Sequence, residues 1–204
     1  MDATATRSRG RPRQFDEEAV LDALTTLFWR QGYEATSMAD IVEASGLNKS
    51  SLYNTFGSKQ QLFTRVLDRY IDFRMSMLAA LIDDAGDGIA GLHAFLDMVR
   101  RETGTEMGEH GCFAVNTSAE LGRTDDDVAE AGHTYRDRMR AALMAIVERA
   151  STHGDLDPAS TEARADMLLT FMLGLSVAVR GGATTAEIDR LIGAAHTMVD
   201  SWRR

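Results

Sequence analysis

The stretch from Thr36 to Lys59, TSMADIVEASGLNKSSLYNTFGSK, leaves this chain little choice of local structure. Ser37 stands three residues before Asp40, the spacing of a reciprocal N-terminal cap, and Ile41 and Val42 then supply the apolar face of a short helix. Gly46 ends it. Leu47 is the apolar residue expected inside the turn, and Asn48 is placed to cap a second helix carrying Leu52, Tyr53 and Phe56 at helical spacing. Gly57 closes that helix, and Ser58 with Gln61 repeats the capping spacing, so a third begins at Lys59 and leads away. Upstream, Val20, Leu24, Leu27 and Phe28 fall at i, i+4, i+7 and i+8 of a helix from Asp16 to Gln31, broken by Gly32-Tyr33. Two short helices about a tight glycine turn read as a helix-turn-helix, whose second helix fits the major groove of DNA.

The wording of this segment resembles the DNA-binding domain of TetR-type transcriptional regulators. That family's apolar pattern, Gly turn, Leu-Tyr and Phe-x-Ser-Lys are matched by Gly46, Leu52, Tyr53, Phe56, Ser58 and Lys59, and the resemblance is strong over about residues 14 to 65. It implies an all-α protein: a three-helix DNA-binding domain joined to a larger helical domain for ligand binding and dimerisation. The expected division is a flexible basic arm over 1–14, the helix-turn-helix domain over 15–60, and the effector and dimerisation domain over 61–204.

Composition is compatible with that architecture. The chain has 204 residues, enough for a real core, and only Pro12 and Pro158 interrupt it. The N-terminus is polar and arginine-rich without an apolar segment behind it, and no run of about 18 apolar residues occurs, so neither a secretory signal nor a membrane span is expected. A cytoplasmic protein is the expectation, and the single cysteine, Cys112, agrees with a reducing compartment.

The net charge of −9 looks unsuited to DNA until it is divided along the chain. Residues 1–60 hold 7 Lys/Arg against 8 Asp/Glu, whereas residues 61–204 hold 15 against 23. Within the first part Arg7, Arg9, Arg11 and Arg13 form a basic arm, and the two lysines of the chain, Lys49 and Lys59, both lie in the DNA-reading unit. The local field governs phosphate contact. Arg9 and Arg11, in Arg-Gly-Arg-Pro, suit a narrow minor groove; the alternative is a solvated tail.

The N-terminal turn of the second motif helix carries Lys49, Ser50 and Ser51 as candidates for base contact, with Asn54 further along. By the resemblance, Tyr53 and Lys59 would hold phosphates. The helix start at Thr36 and Ser37 offers backbone N–H groups to another. Packing beside Phe56 is the other reading of Tyr53, and a solvated helix start the other reading of Lys59.

Beyond residue 60 the periodicity predicts a helix over about 59–84 carrying Leu62, Phe63, Val66, Leu67, Tyr70, Ile71, Met77, Leu78 and Leu81, roughly 39 Å long at 1.5 Å per residue. A turn over 83–91, a helix from Leu92 to near Gly104, a short segment from Gly111 to Leu121 and a long helix from Asp125 to about His153 follow, the last capped by Thr124 or Asp125. Pro158 opens the next helix, Gly181-Gly182 stops it, and a final helix runs from Thr185. The apolar excess of these last two predicts a homodimer interface made by Leu175, Val179, Ile188, Leu191, Ile192, Ala195, Val199 and Trp202.

For the effector, Phe95, Met98, Met107, Cys112, Phe113, Asn116, Tyr135, Met139, Phe171 and Met172 are candidates to enclose an apolar cavity with a few polar groups, each of them also an ordinary core residue. The segment HGCFAVNTSAEL, 110–121, resembles a sub-group of these regulators in which this helix lines the effector site. One reading makes Cys112 a thiol sensor of electrophiles or oxidants tuned by His110; the other buries it as core. Metal binding by His110, Cys112 and His133 lacks a recognised ligand spacing, and no cofactor is expected. No G-x-S-x-G, H-E-x-x-H or G-x-x-x-x-G-K motif is present, so an enzyme is not expected. The functional expectation is a dimeric repressor released from double-stranded operator DNA by a small molecule. The rival is a sequence-tolerant architectural DNA-binding protein that uses the arginine arm.

Overall fold

The structure is a computed structural model that describes residues 15–84 and 88–203. Among them are nine helices: α1 (Glu17–Gln31), α2 (Met38–Ser45), α3 (Lys49–Phe56), α4 (Lys59–Asp84), α5 (Ala90–Thr103), α6 (Phe113–Leu121), α7 (Asp126–Thr152), α8 (Thr161–Arg180) and α9 (Thr185–Asp200). The fold is all-helical, a helix-turn-helix head followed by a helical C-terminal domain.

Local chemistry explains most boundaries. Asp16 accepts the Glu18 and Ala19 N–H groups at the start of α1. Ser37 and Asp40 form the reciprocal box that starts α2, and Ser58 with Gln61 does the same for α4. Asp125, not Thr124, caps α7 by accepting the Val128 N–H at 3.1 Å. Pro158 opens a 3₁₀ turn capped by Asp157, and α8 itself begins only at Thr161. Thr184 and Glu187 form a further box at α9.

The head and the larger domain share one apolar cluster. Helix α4 links them by burying Leu62, Phe63, Val66, Leu67, Tyr70, Ile71, Met75 and Leu78. Met77, placed in the apolar stripe by spacing, is 40% exposed because Met75 occupies the inward position. An aromatic cluster spans the junction. The Phe63 ring meets Phe28 edge-on at 4.9 Å and Phe113 at 5.8 Å, while Tyr70 meets Trp29 at 5.0 Å and Phe113 at 5.4 Å. In the larger domain α7 packs on α4, α6 and α8, and α9 lies along α5.

Candidate DNA-reading surface and effector cavity

The reading helix is held from behind. Leu52 and Phe56 are buried, so the opposite side of α3 presents Lys49, Ser50, Tyr53, Asn54 and Thr55 to solvent, with Ser51 half-buried beside them. Asn48 Oδ1 accepts the Ser51 N–H at 2.8 Å and fixes the first turn. The turn before it needs Gly46 at φ 65°, a left-handed conformation costly for a side chain, and the Gly46 N–H returns to Val42 O at 3.1 Å. Tyr53 is 44% exposed rather than packed beside Phe56, and the Lys49 ammonium lies 5.8 Å from its ring centre.

Three expected DNA contacts are occupied otherwise. The Thr36 side chain is buried and donates to Gly32 O at 2.6 Å, and its backbone N–H donates to Tyr33 O. The Ser37 N–H donates to Asp40 Oδ2 at 2.7 Å, a bond that holds the Asp40 carboxyl below its ordinary range. Neither backbone donor is therefore free for phosphate; the first turn of α2 retains those of Met38 and Ala39. Lys59 Nζ donates to Tyr33 O at 2.7 Å and sits 4.1 Å over the Tyr33 ring, tying α4 to the α1–α2 connection. Arg9 and Arg11 lie outside the described residues.

A cavity of about 200 Å³ lies between α4, α5 and α8, with Trp29 of the head and the Gly111-Cys112 segment in its wall. The sequence candidates for this site mostly lie elsewhere. Phe95, Met98, Phe113, Tyr135, Met139 and Met172 are buried core, Phe171 is half-buried against that core, and Asn116 donates to His110 O at 2.7 Å, which pins the chain before α6. Of those candidates Cys112 alone lines this cavity; Met107 lines a groove that shares Trp29, Tyr70, Phe73 and Arg74 with it, and Tyr135 lines a separate pocket between α6, α7 and α8. Periodicity could not find Arg74, Glu102 or Trp29, because a polar residue at a half-buried position looks like solvated surface. Arg74 bonds Glu102 at 2.5 Å. Burial works against the arginine's charge, yet Tyr70, Glu102 and Cys112 raise its pKa above the ordinary value.

The Cys112 thiol stands between two phenols, 3.5 Å from Tyr70 Oη and 3.3 Å from Tyr135 Oη. Burial foremost pushes both phenols well above their ordinary pKa, so they stay protonated; Tyr70 donates to the sulfur, and the thiol donates to Tyr135 Oη. His110 faces Glu109 at 3.8 Å and not the thiol. The described residues bring no three His, Cys, Asp or Glu side chains together for a metal.

The predicted interface residues need correction. Leu175, Val179, Ile188, Ile192, Ala195 and Val199 are buried inside the protomer, while Leu191 is half-buried and Trp202 lies beyond the end of α9 with Arg164 over its ring at 5.6 Å. The apolar stripe of α9 lies along α5 instead. The outward face of α8 is the one through Ala163, Met167, Thr170, Gly174 and Val177, where Met167 is 47% and Val177 59% exposed.

The cavity wall is wired to the head. Trp29 Nε1 donates to Gly111 O at 2.9 Å, and Arg180 at the end of α8 donates to Trp29 O and Arg30 O. Glu120 of α6 accepts the Tyr33 and Glu34 N–H groups at 3.2 and 2.9 Å, and Gln60 donates to Asp125 at 2.8 Å.

Comparison with known proteins agrees with this geometry. Residues 20–66 match the family described as bacterial regulatory proteins, tetR family, and residues 88–195 match the tetracyclin repressor-like C-terminal domain. The HTH-type transcriptional repressor ComR of Escherichia coli K12 is 32% identical over 198 residues, covering 96% of this chain and 93% of that protein. The repressor BdcR of the same strain is 28% identical over 183 residues, covering 89% and 88%. A cysteine mutant of the TetR-family regulator CifR, solved in complex with 26-bp double-strand operator DNA, superposes with a TM-score of 0.83 at 26% identity over 95% of this chain and 100% of that one. The chain therefore belongs to the TetR family, and it is a helix-turn-helix transcriptional regulator rather than an enzyme.

Proposed function

We propose that the protein is a cytoplasmic homodimeric repressor that a small molecule releases from its operator. The observation that carries this reading is the exposed first turn of α3, with Lys49, Ser50 and Ser51 presented outward by a cap and two buried anchors. Lys49 is assigned to guanine acceptors or the adjoining phosphate, Ser50, Ser51 and Asn54 to base edges, and Tyr53 to phosphate. Lys59 keeps ammonium hydrogens beyond the one given to Tyr33, so it remains assigned to phosphate as well. ComR and BdcR are repressors by name, and CifR was captured on operator DNA, which supports the same role here.

Two heads must stand about one DNA turn apart, on the order of 34–36 Å, to read a palindrome. The dimer face is assigned to the outward side of α8, Met167, Thr170, Gly174 and Val177, with Ala194 and Thr197 of α9, since the residues named from periodicity are taken up by the protomer core. No helix among the described residues is long and apolar enough to cross a membrane.

The test is selection of genomic fragments at physiological salt by the wild type, by Lys49→Ala and by the chain lacking residues 1–13. One short palindrome, preferred by about 10³-fold or more over bulk DNA and lost with Lys49→Ala, is the expected result. Broad A·T-rich binding lost with the arm would establish the architectural reading instead. The Cys112 sensor remains a second effector mode, favoured by the thiol's place in the cavity wall; conversion of Cys112→Ser with full retention of the effector response would eliminate it.

A further inference from the structure

Helix α1 of the head ends against α8 of the larger domain. The last carbonyls of a helix have no partner inside it. In α1 the Gly32 N–H takes Phe28 O at 2.8 Å, which leaves the carbonyls of Trp29, Arg30 and Gln31 to be satisfied from outside the helix. Arg180, the last residue of α8, donates through Nη1 to Trp29 O at 3.2 Å and through both Nη1 and Nη2 to Arg30 O at 3.4 Å. A cation at this place also faces the negative end of the α1 dipole. The head helix is thus capped by a residue 150 positions further along the chain, in the other domain.

A second contact joins the same two elements. Trp29 Nε1 donates to Gly111 O at 2.9 Å, and Gly111 lies so close to α8 that a Cβ on it would stand 2.7 Å from Ser176 O and 3.4 Å from Arg180 Cβ. Trp29 is therefore held at its backbone by Arg180 and at its side chain by a glycine seated on the last turn of α8. Beyond the end of α1, Glu120 of α6 accepts the Tyr33 and Glu34 N–H groups. Arg180 and Glu120 both engage backbone atoms, one with a positive and one with a negative group, so between them they fix the course of the chain from α1 into α2.

We propose that Arg180 is a positioning residue for operator binding. By capping α1 from α8 it sets the angle of the reading head, and so the half-site spacing that the protein accepts rather than the bases that it reads. This rests on the paired-head reading above, in which the outward side of α8 meets a second copy. Under that reading one helix runs from the contact between copies, at Met167, Gly174 and Val177, to the contact with the head at Arg180. Spacing is a sensitive measure of that angle, because one base pair advances the duplex by only about 3.4 Å and turns it by roughly a tenth of a revolution. Stability is a poor measure of it. Arg180 is exposed, and water replaces much of what its bonds supply.

The full chain and its Arg180→Met and Arg180→Lys variants are titrated at fixed salt, by fluorescence anisotropy, with the selected palindrome, the same palindrome with one central base pair added or removed, and a single half-site. Wild type should favour the natural spacing over either altered one by about tenfold or more. Arg180→Met should shrink that preference to about threefold or less while half-site affinity stays within about twofold of wild type and the melting temperature within about 4 °C. Arg180→Lys keeps a cation for the α1 carbonyls and should recover part of the preference. An undiminished spacing preference in Arg180→Met, an equal loss on all four DNAs, which would make Arg180 a phosphate contact, or no recovery with lysine would each overturn the proposal. The two readings fail differently. A wild type indifferent to spacing refutes the paired heads and this role of Arg180 with them; a spacing preference shared by wild type and Arg180→Met refutes the role of Arg180 and leaves the paired heads standing.

Discussion

Replacing Phe113 by alanine tests whether head and larger domain share one core. Phe113 is 1% exposed, and its ring meets Tyr70 at 5.4 Å, Phe63 at 5.8 Å and Trp29 at 6.4 Å, so truncation removes contacts to α4 and α1 together. A buried Phe→Ala change costs about 3–5 kcal/mol, a large share of the roughly 5–15 kcal/mol that holds a domain folded. Phe113→Leu retains most of the volume and should cost about 1–1.5 kcal/mol. Urea unfolding followed by far-ultraviolet circular dichroism gives both values, at one fixed protein concentration because association of copies adds to apparent stability. A double-mutant cycle with Trp29→Ala isolates the cross-domain pair, for which about 0.5–1.5 kcal/mol of coupling is expected. A cost below about 1 kcal/mol for Phe113→Ala, or no coupling to Trp29, would refute the shared core and with it the route from cavity to head.

Three further outcomes follow from the contacts described. Asn48→Ala should lower stability by about 1 kcal/mol and weaken operator binding, and Asn48→Asp should restore the stability, both read by thermal melts alongside fluorescence anisotropy on DNA. Glu120→Ala should change stability by only about 0.5–1 kcal/mol, because the carboxylate is exposed, yet selectively accelerate hydrogen exchange at the Tyr33 and Glu34 amides; unchanged protection there would show that the clamp is inert. The capping bonds hold the Asp40 and Glu187 carboxyls below their ordinary values of 3.8 and 4.5, so their stabilisation is complete above those values and is lost as pH falls through the lower folded ones. Melting temperatures measured from pH 5 down to about 2.5 should therefore fall less steeply in the double variant Asp40→Asn, Glu187→Gln than in the wild type.

Much of the architecture was legible because it rests on local signals. Ser37 with Asp40, Asn48, Ser58 with Gln61 and the glycines at 46 and 57 mark their helix ends by bonds that reach only a few residues along the chain. The side of α3 left for DNA was legible for the same reason, since Leu52 and Phe56 set its inward face. Contacts between distant segments were not. Nothing in the spacing around Lys59 shows that its ammonium turns to Tyr33, and Thr36 reads as an ordinary helix start until Gly32 O is found beside it. The space between α4, α5 and α8 was not legible because the largest apolar residues, such as Phe95 and Met139, fill the core, while this space is left where Arg74 and Glu102 stand half-buried.

By itself the sequence determined the helices, their caps, the helix-turn-helix and hence the regulator, since each depends on a short periodicity or on side chains within about four residues of the backbone groups they satisfy. Tertiary structure decided the assignments that depend on which apolar stripe meets which partner. The stripe of α9 could face a second copy or its own α5 with equal periodicity, and only packing placed it on α5. Likewise only the meeting of α4, α5 and α8 with Trp29 brought residues far apart in the chain around one space.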